Sequence, residues 1–128
     1  MNTRLIRSLA LAAALLAGSP AFLSAAEPAG EDAAFATKLI TALEKSDYDS
    51  FVTDGETPFK QLKKEQFDGV AAKIAPRLQA GHELTYLGDL KQRGYHVTLW
   101  RVSFKDGSDD ILATLSTRDG KVGGFFVH

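Results

Sequence analysis

The chain has 128 residues, with 15 Lys and Arg against 16 Asp and Glu, a net charge of −1, and no cysteine. The missing cysteine excludes disulfides, thiolate catalysis, cysteine metal sites and a lipid anchor on cysteine. The near-neutral balance lacks the basic stripe of a nucleic-acid binder. The only local basic cluster, Lys60, Lys63 and Lys64, is followed by Glu65 and reads as a solvated helix start.

Residues 1–26 read as a secretory signal peptide. Arg4 and Arg7 precede an apolar run at residues 9–17, and the small residues Ser24, Ala25 and Ala26 suit a signal peptidase. The run is shorter than the roughly 20 residues of a membrane span, so no stable span is expected after signal removal. Removal deletes those two arginines and takes the net charge from −1 to −3. A single domain over residues 27–128, exported to the periplasm or the extracellular space, is expected to follow. It must rely on its core rather than on disulfides.

Residues 31–45 are predicted helical, with Phe35, Leu39, Ala42 and Leu43 on one stripe. Glu31 and Asp32 complement the positive N-terminal end of that helix. Ser46 and Asp47 can cap a second short helix carrying Tyr48, Phe51 and Val52. A loop follows, in which Thr57 and Pro58 can open a further turn. The third helix, residues 64–79, puts Phe67, Val70, Ala71, Ile74 and Leu78 on one face. Pro76 should loosen its last turn, and Gly81 supplies a left-handed cap.

After Gly81 the period changes to two. Four strands follow, separated by Gln92-Arg93-Gly94, Asp106-Gly107 and Asp119-Gly120. Asp-Gly between alternating runs is a strong hairpin signal. The fold class is therefore α+β: three N-terminal helices on a curved four-stranded antiparallel meander. A three-residue loop at 92–94 and two-residue turns at the other sites set a register. In it Tyr86 faces Trp100, Leu84 faces Val102, Trp100 faces Ala113, His96 faces Thr117, Leu115 faces Gly124 and Ile111 faces His128. Gly123-Gly124 can mark a bulge that would curve the sheet and shift the pairing beyond Thr117.

This register gives an inner face of Leu84, Tyr86, Leu90, Trp100, Val102, Phe104, Ile111, Ala113, Leu115, Val122 and Phe126. The outer face holds Val97, Leu99, Arg101, Leu112, Thr114, Phe125 and Val127. A water-facing side should be more polar, so Val97, Leu99, Arg101, Leu112, Phe125 and Val127 form a candidate dimer face. Arg101 could pair across the dimer or with an acidic helix end.

The order of SDYDSF (residues 46–51), EQFDGV (65–70), LTYLGD (84–89), TLWRVSFKDG (98–107) and RDGKVGGF (118–125) resembles the nuclear transport factor 2-like superfamily. The likeness is to its small exported bacterial members and covers nearly the whole chain after the signal. It implies a cystatin-like fold, a pocket between helices and sheet, and a homodimer through the opposite sheet face. The superfamily includes isomerases and cyclases that need acid–base groups inside the cavity. The register puts no carboxylate on the inner face, since Asp89 and Asp110 project from the other side. The resemblance therefore carries no catalytic residue onto this chain.

Tyr86 and Trp100 could floor a small apolar cavity, with His96 or Tyr48 as a polar contact, though a large ring over Ala113 is first of all core packing. His96 and His128 share a face in this register but lie about 20 Å apart, too far for one metal ion. Neither a calcium loop nor a nucleophile elbow is present. No cofactor is expected. The sequence thus reads as a non-enzymatic binding or scaffold domain, dimeric, for a small apolar ligand or an envelope protein. The alternative is an isomerase- or cyclase-like enzyme using an atypical histidine or tyrosine. An inhibitor-like module lacks its glutamine-valine-glycine loop.

Overall fold

The computed structural model describes residues 30–128; the expected signal peptide lies outside them. Helix α1 (Gly30–Glu44) is followed by two short helices, α2 (Tyr48–Val52) and α3 (Thr57–Lys60), and by α4 (Lys64–Gln79). Strands β1 (His82–Gln92), β2 (Tyr95–Phe104), β3 (Ile111–Arg118) and β4 (Lys121–Val127) then form one antiparallel sheet in sequence order. The class is α+β.

Local chemistry sets the boundaries. The Asp47 carboxylate accepts from the Ser50 amide at 3.2 Å and from the Ser50 hydroxyl at 2.7 Å, capping α2. Pro58 sits in the first turn of α3, where its missing N–H costs nothing. Helix α4 runs through Pro76, and the chain leaves it at Gly81 with a φ of 114°.

The core lies between the helices and one face of the sheet. Ala36, Leu39, Ile40, Ala42 and Leu43 of α1 and Phe67, Ala71, Ile74 and Leu78 of α4 are buried against Trp100, Val102, Phe104, Ala113, Leu115 and Val122. Burying a large aliphatic or aromatic side chain contributes roughly 1.5–3 kcal/mol, so this cluster dominates stability. Arg77 of α4 lies 4.0 Å from the Phe104 ring centre and donates to Ser108 Oγ at 3.0 Å, tying the helix to the β2–β3 loop.

The register agrees with expectation over much of the sheet. Tyr86 pairs with Trp100, Leu84 with Val102, Trp100 with Ala113 and His96 with Thr117. The β2–β3 connection is not a two-residue turn: strands end at Phe104 and resume at Ile111. Asp106 instead holds this longer loop by accepting from the Ser108 amide and hydroxyl at 2.8 and 2.6 Å.

Two bulges correct the rest. Arg93 and Gly94 both have positive φ, 54° and 82°, which makes a two-residue turn of the hairpin kind rather than the three-residue loop. Gln92 then pairs with Tyr95, and a bulge between Tyr86 and Gly88 absorbs the extra residue. Leu90 therefore pairs with Val97 on the outer face, and Asp89 moves to the inner face opposite Thr98.

The second bulge lies at Gly123, where one was expected. Thr117 pairs with Val122, but Leu115 pairs with Phe125 and Ala113 with Val127. Phe125 and Val127 thus belong to the inner face and pack against the core. Phe126 is turned outward and is 62% exposed. His128 exchanges backbone bonds with Leu112, not Ile111, so His96 and His128 lie on opposite faces. A Cβ on Gly123 would sit 2.3 Å from the Tyr95 ring; only glycine permits that approach.

Candidate functional site

Of the three residues expected to wall a cavity, Trp100 and Tyr86 meet edge to face, with ring centres 5.3 Å apart. Trp100 is buried, and its Nε1 donates to the Thr98 hydroxyl at 2.8 Å. An indole with both its face and its N–H engaged is a core residue. Tyr48, the other polar contact considered, donates instead to the Leu62 carbonyl and packs edge-on against Phe67.

His96 has the partners that the sequence reading denied it. Its Nε2 donates to Asp89 at 2.6 Å and its Nδ1 to Asp32 at 2.8 Å. Asp32, in the first turn of α1, is 3% exposed and also accepts from the Thr117 hydroxyl at 2.9 Å. A ring nitrogen donates to a carboxylate only when it carries a proton, so this geometry favours the doubly protonated ring. The bond to Asp89 and the charge of Asp32 raise the His96 pKa above its ordinary 6.5, against the opposing effect of burial. Burial, then the charges of Asp89 and Asp32, raises that of Tyr86.

The inner face thus does hold carboxylates. Asp89 reaches it through the bulge at residue 87, and Asp32 reaches it from a helix. Asp32 lies three and four residues before Phe35 and Ala36 on the helix. That spacing places it on the buried stripe and was the signal that could have revealed it. The arrangement clamps α1 to β1, β2 and β3. The two carboxylates engage opposite nitrogens of the ring, and among the described residues no group of three or more acidic or histidine side chains is placed to hold an ion.

A second polar cluster closes the edge of the sheet. The backbone of residues 54–56 bridges β4: the Val122 amide donates to the Asp54 carbonyl at 2.9 Å, and the Glu56 amide donates to the Val122 carbonyl at 2.8 Å. Glu56 accepts from the Tyr95 hydroxyl at 2.6 Å and from Arg118 at 3.0 Å. Those bonds, Tyr95 first, hold its carboxyl below the usual range. Arg118 also lies 4.2 Å from the Tyr95 ring centre.

Beside this bridge opens a groove of about 560 Å³. Its walls are α2, α3 and α4 on one side and residues 123–127 of β4 on the other, with Phe51, Phe59, Leu62, Phe67, Val70, Phe125 and Val127 among its lining. Phe51 stacks on Phe59 at 5.5 Å and contacts Phe67 and Phe125 at 4.9 and 6.0 Å, so packed rings form the floor. Neither Tyr86, His96 nor Trp100 lines it. The size falls within the range of ligand sites, about 300–1,000 Å³.

On the outer face, Leu87, Leu90, Leu112 and Phe126 are exposed, Leu99 is half-buried and Val97 is buried. Arg101 is exposed and makes no ion pair among the described residues. A smaller hollow of about 330 Å³ lies between Tyr95, Val97 and Phe126. Of the residues expected on the outer face, Val97, Leu99, Arg101 and Leu112 lie there, whereas Phe125 and Val127 lie on the inner face; Leu90 and Phe126, expected inside, lie on the outer one. In comparison with known proteins, no family model matches the chain and no curated protein matches it.

Proposed function

We propose that this chain is an exported, non-enzymatic binding domain of cystatin-like architecture. The groove beside β4 takes an apolar partner, and the outer sheet face joins two copies. The observation that carries this reading is the groove itself: an open apolar hollow of ligand size, floored by packed aromatic rings, with no titratable side chain in its lining. Such a surface provides affinity by burial and offers no group for acid–base chemistry. The resemblance to the nuclear transport factor 2-like superfamily supports the helix-on-sheet layout and the outer-face dimer.

The test is a titration with the apolar dye anilinonaphthalene sulfonate. The native chain is expected to bind it, and Phe59→Asp, which puts a carboxylate in the half-buried wall of the groove, to weaken binding at least tenfold. Binding unaffected by that substitution would place the apolar site elsewhere.

The His96 cluster supports a second reading, the isomerase- or cyclase-like enzyme. An imidazolium held between carboxylates is an acid–base group, and Asp89, 53% exposed at its side chain, is a displaceable partner. Against it, both ring nitrogens are engaged and the buried Asp32 is shared with Thr117, which is how a structural clamp is built. A pH–rate profile abolished by His96→Asn would favour the enzyme.

A further inference from the structure

We propose that the groove recognises an extended apolar polypeptide segment of another protein, which adds to the sheet as a strand along the free part of β4. This rests on the reading of the groove as a binding site and names the chemistry of its occupant. The hydrogen-bond phase of β4 carries the argument. Leu112 and His128 exchange both backbone bonds. In an antiparallel pair such residues alternate with ones whose N–H and C=O point away from the neighbour. Phe126 opposite Thr114 repeats the bonded phase, so Phe125 and Val127, opposite Leu115 and Ala113, turn their backbone groups to the open edge.

Among the described residues neither Phe125 nor Val127 has a backbone or side-chain partner on that edge. The same edge is already used at Val122, where residues 54–56 of the chain itself form a parallel bridge. At Thr57 the chain turns into α3 and leaves the edge. The groove opens where this strand-like segment departs. A guest strand continues the bridge, taking the donors and acceptors of Phe125 and Val127, while alternate side chains enter the hollow between Phe59, Phe67 and Phe125. Strand addition draws affinity from such main-chain bonds and selectivity from such pockets. A lipid or other small apolar molecule would fill the hollow but leave those backbone groups unmet. In an antiparallel pairing of two β4 edges, both copies' α3 helices would fall on the same side of the joined sheet and crowd the groove, which disfavours a second copy.

The probe is a synthetic peptide of alternating valine and threonine with a lysine at each end, titrated into the full chain. Binding is followed by fluorescence anisotropy and by amide hydrogen exchange. Saturation is expected to slow exchange at Phe125 and Val127 at least tenfold. N-methylation of alternate peptide amides, which leaves the protein untouched, should weaken binding at least tenfold. Val127→Pro, which removes the outward donor but also alters a side chain of the groove wall, should do the same, and the N-methylated peptide separates the two effects. Equal binding of the N-methylated peptide with unchanged exchange would overturn strand addition while leaving an apolar groove. Dye binding without peptide binding would have the same meaning. Absence of both would overturn the groove reading as well. Slowing of the same amides by protein concentration alone would assign the edge to a second copy and overturn the proposal.

Discussion

Each ring nitrogen of His96 faces a carboxylate, one from α1 and one from β1, which favours its protonated form. The sign of the pH dependence follows. A raised histidine pKa adds stability that is fully present below the unfolded value near 6.5 and is lost as pH rises through the folded value. Tyr86 and Lys91, the cross-strand partner of His96, are the other ionisable groups nearby. Urea unfolding between about pH 6 and pH 9 should therefore show the native chain losing more stability than His96→Asn. Parallel curves would remove the clamp. Thr117→Val takes a hydrogen bond from the buried Asp32 and should cost about 1–3 kcal/mol. At Gly123 the Tyr95 ring occupies the space of a Cβ. Gly123→Ala should cost about 1–3 kcal/mol by displacing that ring, and the same unfolding assay measures it.

The elements show why part of the sheet was legible and part was not. Alternation of apolar residues reports which face a residue takes, and turn length reports the pairing sum. A three-residue loop and a two-residue turn followed by a one-residue bulge give the same pairing at the far end of a hairpin. Tyr86 opposite Trp100 and Leu84 opposite Val102 were therefore found correctly from a wrong turn. Between turn and bulge the parity differs, and there Leu90 and Asp89 exchanged faces. Arg93 hid the turn, because a left-handed arginine is an uncommon hairpin residue. The glycine pair disclosed the β4 bulge but not its effect on the faces, so Phe125 and Val127 were expected outside and lie inside. The groove itself was out of reach, since it depends on how α3 leaves the sheet edge, a tertiary fact with no period in the sequence. The corrected register makes a direct contrast. Phe125→Ala, in the aromatic floor, should cost about 3 kcal/mol. Phe126→Ser, one residue away and turned outward, should change the stability of the monomer by less than about 0.5 kcal/mol. Thermal or urea unfolding of the two variants decides it.

For the whole molecule, two surfaces on opposite sides of the sheet divide the proposed work. The outer face exposes Leu87, Leu90, Leu112 and Phe126, and a charge at its centre should disfavour association. Sedimentation of the native chain is expected to give a dimer, and Leu99→Lys to shift it toward monomer by at least tenfold in dissociation constant. A native monomer at high concentration would remove the dimer without touching the groove. The central claim is that function lies in the β4 groove and not at His96. Chemical-shift mapping of the isotope-labelled chain with anilinonaphthalene sulfonate tests it most directly. Perturbations concentrated at Phe51, Phe59, Phe67, Phe125 and Val127 are the predicted result. Perturbations centred on Tyr86, His96 and Asp89 would contradict it.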